Sequence, residues 1–220
     1  MKRKNLWFGL IFLFSFLGQA EEIRGINFEE LKAQELAKLC QKGTMLIVQR
    51  HPDGSLKEVS AGALVNAGLE QVWGVITDYP HYSEFMPQTT RAKIIRRESE
   101  NLMVIEQEIE IKIWMLKVHL CYQLEQTHTP RQKIRFRHYR GDLPGTYGGW
   151  DLLPVPGRNQ TLIFYSLYSN LTALPWPLGS IMKSQPDFFT AVNVSTATLV
   201  VNAVKEEAEK RASSGSRAPE

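Results

Sequence analysis

Ala63-Leu64-Val65-Asn66-Ala67 is followed at once by Leu69, Val72, Trp73 and Ile76, and then by Asp78-Tyr79-Pro80-His81-Tyr82-Ser83-Glu84-Phe85-Met86-Pro87. The opening five residues read as the end of a strand. Leu69, Val72, Trp73 and Ile76 recur at steps of three and four, which places them on one helix face. Pro80 ends that helix, because the residue before a proline is driven out of the α region, and the same proline suits the first turn of a new short helix. A sharp break and an aromatic-rich turn are therefore expected over Asp78 to Pro87.

The string V-x-A-x-L-E-x-V-W-x-V-I-T-D-Y-x-x-Y-x-E-F-M-P, spelled by Val65 to Pro87, resembles the START-like superfamily that includes polyketide cyclase-type and coenzyme-Q-binding proteins. The resemblance implies an α+β helix-grip fold: a curved antiparallel sheet wraps a long C-terminal helix and leaves an apolar cavity between them. It marks the fold better than the ligand, since the superfamily hosts carriers, cyclases and partner-binding modules.

The rest of the chain is consistent with such a sheet. Thr44–Arg50 and Leu56–Asn66 are strand-like and joined by His51-Pro52-Asp53-Gly54-Ser55, a turn. Lys93–Glu98, Leu102–Ile113, Lys117–Glu125 and Lys133–Tyr139 alternate apolar with charged residues, as half-exposed antiparallel strands do. The apolar phase is odd through Ile113 and even from Val118 to Leu124, so a turn or bulge is expected near Trp114 to Lys117. Gly141–Gly149 holds four glycines and reads as irregular; Trp150–Pro154 and Thr161–Leu171 read as strands. A sheet of about seven strands is expected from these eight runs. Pro186 opens a long helix to about Arg211, on which Phe189, Val192, Thr196, Leu199 and Ala203 form a stripe expected to lie on the concave sheet.

At the other end, Lys2, Arg3 and Lys4, the apolar run Leu6–Leu17 and the small residues Gly18-Gln19-Ala20 have the three parts of a secretory signal. The run is short of the roughly twenty residues a membrane span needs. Residues 1–20 are thus expected to be a signal peptide, 21–43 an N-terminal helix capped by Asn27 with Glu30, 44–211 the helix-grip domain and 212–220 a disordered tail. A secreted or periplasmic location follows as an expectation. The whole chain carries 26 Lys plus Arg against 23 Asp plus Glu, and without Lys2, Arg3 and Lys4 the two balance. A neutral exported domain is a poor nucleic-acid partner. Cys40 and Cys121 can bridge in such a compartment or remain two buried thiols; sequence leaves both open.

Motifs for hydrolytic nucleophiles, phosphate-cradling loops and metal clusters are absent from the sequence. No catalytic or metal-binding residue is assigned, and no cofactor is expected. Asp78, His81 and Glu84 are close enough in sequence for acid–base work, yet Asp78 reads better as a helix cap and the other two as water-facing. Arg131, Lys133, Arg135, Arg137 and Arg140 lie on and around one strand; they suit an anionic headgroup or, more simply, cross-strand pairing with Glu106, Glu108, Glu110 and Glu125.

The functional expectation is an exported protein that binds or carries a hydrophobic small molecule, a lipid or isoprenoid quinone, without turning it over. Its expected cavity walls are Trp73, Ile111, Ile134, Phe136, Trp150 and Phe164 from the first long helical segment and the sheet. Tyr165, Phe189, Val192, Thr196 and Leu199 complete them, with Tyr165 and Thr196 as polar anchors. Tyr82, Phe85, Met86 and Trp176 are expected at the entrance, where aromatics would touch a membrane during exchange. A monomer is expected. The alternatives are a cyclase or aromatase using the same cavity, and an envelope module that holds a protein partner.

Overall fold

A computed structural model describes residues 33–113 and 116–215. The expected signal segment, the Asn27/Glu30 cap and residues 216–220 lie outside the described residues. The chain runs α1 (Ala33–Cys40), β1 (Met45–Arg50), β2 (Leu56–Val65), α2 (Leu69–Ile76), a turn of 3-10 helix (Tyr79–His81) and α3 (Tyr82–Phe85). Six strands follow: β3 (Thr89–Arg97), β4 (Leu102–Ile113), β5 (Leu116–Thr129), β6 (Lys133–Gly141), β7 (Tyr147–Pro154) and β8 (Thr161–Tyr168). After a short 3-10 turn at Leu171–Ala173, α4 (Leu178–Ser184) leads into α5 (Pro186–Gly215).

The eight strands form one antiparallel sheet in the order β1-β2-β8-β7-β6-β5-β4-β3. This is the expected helix grip, and each of the eight runs read as extended from the sequence contributes one of its strands. α2 begins at Gly68, where the Gln71 side chain accepts from the Gly68 N–H at 3.3 Å, and it ends where the Thr77 hydroxyl donates to the Trp73 carbonyl at 2.8 Å. Val72, Val75 and Ile76 are fully buried, as the spacing of three and four requires.

β4 and β5 pair from Leu102 opposite Thr127 to Ile113 opposite Leu116. The two apolar phases therefore meet on one face: Ile105 faces Leu124, Ile109 faces Leu120 and Ile111 faces Val118. The glycine-rich segment is a correction to the sequence reading, because Tyr147, Gly148 and Gly149 already belong to β7. A Cβ on Gly148 would come within 2.1 Å of the Ser166 carbonyl oxygen and 2.7 Å of the Phe136 ring. Glycine stands there because neighbouring groups press against the strand, not because the chain turns.

α5 differs from its expected orientation by about one residue. Its closely packed face is Asn193, Ala197, Val201, Val204 and Ala208, each 0% exposed, and it meets the sheet chiefly on β2 and β8. Small residues let the helix sit flush against the strands. Asn193 fixes its height: its Oδ1 accepts from the Ser169 N–H at 2.8 Å, and its Nδ2 donates to the Phe189 carbonyl at 3.1 Å. At the far end Glu209 accepts from the Asn66 N–H at 2.8 Å and Lys205 donates to the Leu64 carbonyl. The helix continues through Gly215, past the Arg211 at which it was expected to stop.

Behind the sheet, α1 covers a second small cluster in which Leu36, Ala37 and Cys40 pack on Leu64, Leu162 and Phe164. Both cysteines are free thiols, Cys40 buried and Cys121 exposed. The basic strand is largely paired: Arg137 donates to Glu125 at 2.8 Å, Arg135 to Asp151 at 2.6 Å, and Arg131 to Glu70.

Candidate functional site

Because α5 rests on β2 and β8, the inward residues of β4, β5 and β6 curve away from it, and a hollow of about 330 Å³ remains between helix and sheet. Its floor is Ile109 and Ile111 on β4, Tyr122 and Leu124 on β5, Phe136 on β6, Trp150 on β7 and Tyr165 and Leu167 on β8. Val192, Thr196, Leu199 and Val200 of α5 form the roof, and Met86 to Thr89 one side. Phe188 and Leu199 are 47% and 51% exposed while also lining the hollow, so the mouth lies along this stripe of α5.

Of the expected wall residues, Ile111, Phe136, Trp150, Tyr165, Val192, Thr196 and Leu199 come together here, as do Tyr82 and Met86. The others lie elsewhere, each for a geometric reason. Phe164 precedes Tyr165 with the opposite pleat and packs under α1, since adjacent strand residues cannot share a face. Ile134 is opposite Trp150 in the register and is sealed in the core. Trp73 stands beyond the hollow's wall, edge-on to His128 at 5.7 Å. Phe189 turns into a separate groove with Tyr147 and Tyr168. That groove is larger, about 540 Å³, but it is more open to solvent and bordered by Arg50, Lys57 and Lys183.

The expected entrance is also revised. Tyr82 is buried, its hydroxyl donating to the Ile76 carbonyl. Phe85 packs on Tyr82 at 5.5 Å and lies under the Arg211 guanidinium at 5.6 Å. Trp176 is 85% exposed and does not line the hollow. Asp78 makes no side-chain cap to the turn that follows it. Its carboxylate instead accepts from His81 at 2.6 Å and from Arg211 at 2.8 Å, which clasps the loop to the end of α5. His81 and Glu84 face water, and none of the three lines the hollow.

Several polar groups on the inward face were missed from the sequence. Tyr79 donates to Gln126 Oε1 at 2.6 Å and lies 3.0 Å from His128 Nε2; Tyr79 and Gln126 line the hollow, and His128 is buried behind them. Burial, with the Arg97 charge adding to it, lowers the His128 pKa to about 4. Burial pushes Tyr122 up to about 12, and raises Tyr79, Tyr82 and Tyr165 further. The signal for Gln107, Tyr122, Gln126 and His128 was available: each is a polar side chain on the inward phase of its strand, where alternation calls for an apolar one.

Among the described residues, no Asp, Glu, His, Lys or Arg lines the hollow. On the outer face Glu106, Glu108 and Cys121 converge within 4.8 Å of one another. Glu106 is already paired with Lys93 at 2.8 Å and Glu108 with Arg91 at 3.3 Å, so this is an ion-paired surface.

The profile of a family described as polyketide cyclase / dehydrase and lipid transport matches residues 65–185, more than half of the chain. No curated protein matches the chain in sequence. Solved structures do match in fold. A Thermus thermophilus protein aligns with a TM-score of 0.58 at 15% identity, over 70% of this chain and 98% of its own. The Zhui aromatase/cyclase of a Streptomyces species gives 0.57 at 16% identity, over 74% and 99%. A STAR-related lipid transfer protein of Xanthomonas axonopodis gives 0.56 at 13% identity, over 76% and 94%.

Proposed function

Because this chain belongs to the polyketide cyclase/dehydrase and lipid transport family, we propose that it is an exported carrier which holds a hydrophobic small molecule between α5 and the sheet and does not turn it over. The observation that carries this reading is the neutrality of the hollow: its walls are apolar side chains, amides and hydroxyls, with no group that is charged near pH 7. Burying apolar ligand surface there is worth about 25 cal/mol per Å², or about 0.8 kcal/mol per CH₂, so binding needs no catalytic group.

The cyclase reading requires a wall group that moves a proton near neutral pH. The phenols are the candidates, and burial drives their acidities the wrong way for that task. The reading as a partner-binding module loses ground because the interior is hollow rather than collapsed. A lipid or quinone-like guest, exchange at a membrane through the exposed Phe188 and Leu199, a monomeric state and a periplasmic or secreted location complete the proposal. The signal-like residues 1–20 support the location.

Native mass spectrometry of protein purified from its own cell envelope tests the central claim: a bound apolar mass is expected, and it should vanish in Val192→Trp, which fills the hollow. A clean unliganded spectrum for the wild type after gentle handling overturns it. N-terminal sequencing of the exported protein should begin after Ala20; an intact Met1 in the membrane fraction overturns the export claim.

A further inference from the structure

On the strands that floor the hollow, three polar side chains have no hydrogen-bond partner among the described residues: Gln107, Tyr122 and Tyr165. This sets them apart from their neighbours. Tyr79 and Gln126 bond to each other, Tyr82 bonds to the backbone, and the Thr196 hydroxyl, expected as an anchor, donates to the Val192 carbonyl of its own helix at 2.9 Å. Gln107 and Tyr122 are directly opposite in the β4–β5 register, so both rise from one spot on the inward face. The Tyr165 ring lies 4.6 Å from Trp150 and 6.0 Å from Phe136, which holds its position on the same floor. Tyr122 also opposes ionisation of Tyr165, as expected for two phenols sharing one hollow.

Stability does not explain these three groups. A hydroxyl or amide that faces the hollow and bonds to no protein group adds nothing to the packing, and Phe or Met would fill the same space at least as well. A ligand does explain them. We propose that Gln107, Tyr122 and Tyr165 form a polar cradle for the carbonyl or hydroxyl oxygen of an uncharged, mainly apolar ligand, and that the hollow excludes anionic lipids. This rests on the carrier reading and narrows it to a ligand class. Two phenol O–H groups and one amide N–H donate to oxygen, and the amide oxygen can accept from a hydroxyl. A carboxylate or phosphate has no cation to meet in this lining, and burying an unpaired anion costs several kcal/mol. Size narrows the class further. At the roughly 30 Å³ that a water molecule occupies in the liquid, the hollow of about 330 Å³ admits about a dozen non-hydrogen atoms. That suits a ring system with its oxygen, and any longer tail leaves through the mouth at Phe188 and Leu199.

Three naphthalenes of nearly equal shape test the proposal by titration calorimetry at pH 7 on the folded protein: the methyl ketone, the ethyl hydrocarbon and the carboxylate. The ketone should bind about tenfold or more tightly than the hydrocarbon, and the carboxylate at least about a hundredfold more weakly than the ketone. Tyr122→Phe, Tyr165→Phe and Gln107→Met should each weaken the ketone about threefold to tenfold and leave the hydrocarbon unchanged. Since none of these side chains bonds to the protein, all three variants should melt at or above the wild-type temperature. Equal binding of ketone and hydrocarbon, binding of the carboxylate as tight as the ketone, or variants that keep full ketone affinity each overturn the cradle while leaving the carrier intact. Failure of all three compounds to bind overturns the carrier reading and the cradle with it.

Discussion

Acid should weaken this fold through one histidine. His128 is 7% exposed, lies 3.0 Å from the Tyr79 hydroxyl and 3.3 Å from Gln126 Oε1, and has Trp73 edge-on at 5.7 Å. No anion acts there to offset a positive charge, so burial, helped by Arg97, holds its pKa at about 4 against an ordinary 6.5. Between those values the unfolded chain takes up a proton that the folded chain refuses. Stability from this residue is therefore complete above pH 6.5, falls as the pH drops, and is gone below about 4. At 1.36 kcal/mol per pH unit the whole loss is about 3 kcal/mol. Urea unfolding at pH 7 and pH 4.5, compared between wild type and His128→Gln, isolates the effect from the carboxylates. The wild type should lose about 2 kcal/mol more than the variant over that range, a midpoint difference of about 1 M at ordinary urea slopes. Parallel losses in the two proteins would refute the reasoning.

The clasp at the other end of α2 has the opposite sign. The Asp78 carboxylate, by hydrogen bond and charge, raises the His81 pKa, so this pair stabilises the fold below pH 6.5 and loses its contribution as the pH rises through the folded value. Asp78→Asn should lower the His81 titration, followed by NMR, toward the ordinary histidine range, and freeing Arg211 as well should cost about 1 kcal/mol, seen as a melting point lower by roughly 2–4 °C. An unmoved His81 titration would count against the clasp. Asn193→Leu leaves the Ser169 N–H unpaired at a fully buried position and should cost about 2–3 kcal/mol by urea unfolding; a loss under about 0.5 kcal/mol would show that Asn193 does not pin the helix. Gly148→Ala should cost about 1–3 kcal/mol or more because its methyl meets backbone at 2.1 Å. Gly74→Ala, on the open face of α2 with nothing within 4 Å, should gain about 0.5–1 kcal/mol in the same assay.

Much of the architecture was legible because its signals are local. Proline at 80, the three-and-four spacing of Leu69 to Ile76 and the odd and even phases of β4 and β5 each follow from near neighbours in sequence. The glycines of β7 misled for the same reason: read locally they are turn residues, and the carbonyls that require them, Ser166 at Gly148 and Ile134 at Gly149, are brought there by the pairing of β7 with β8 and β6. Phe164 was misplaced although its own alternation with Tyr165 already held the answer.

By itself, then, the sequence determined the element order, the antiparallel character of the sheet and the apolar nature of its inner face, since those depend on dihedral preference and on a period of two or 3.6 residues. Tertiary structure decided where the empty space falls. α5 carries apolar residues around much of its circumference, so periodicity cannot say which stripe touches the sheet. The choice of Asn193, Ala197 and Val201 rests on the Ser169 backbone, 24 residues away, and on small side chains meeting β2. That seating leaves Val192, Thr196 and Leu199 over a gap, and it brings Gln107, Tyr122 and Tyr165, from three strands, to one neutral hollow. A cavity is a shortfall of packing between distant segments, and no window along the chain contains it.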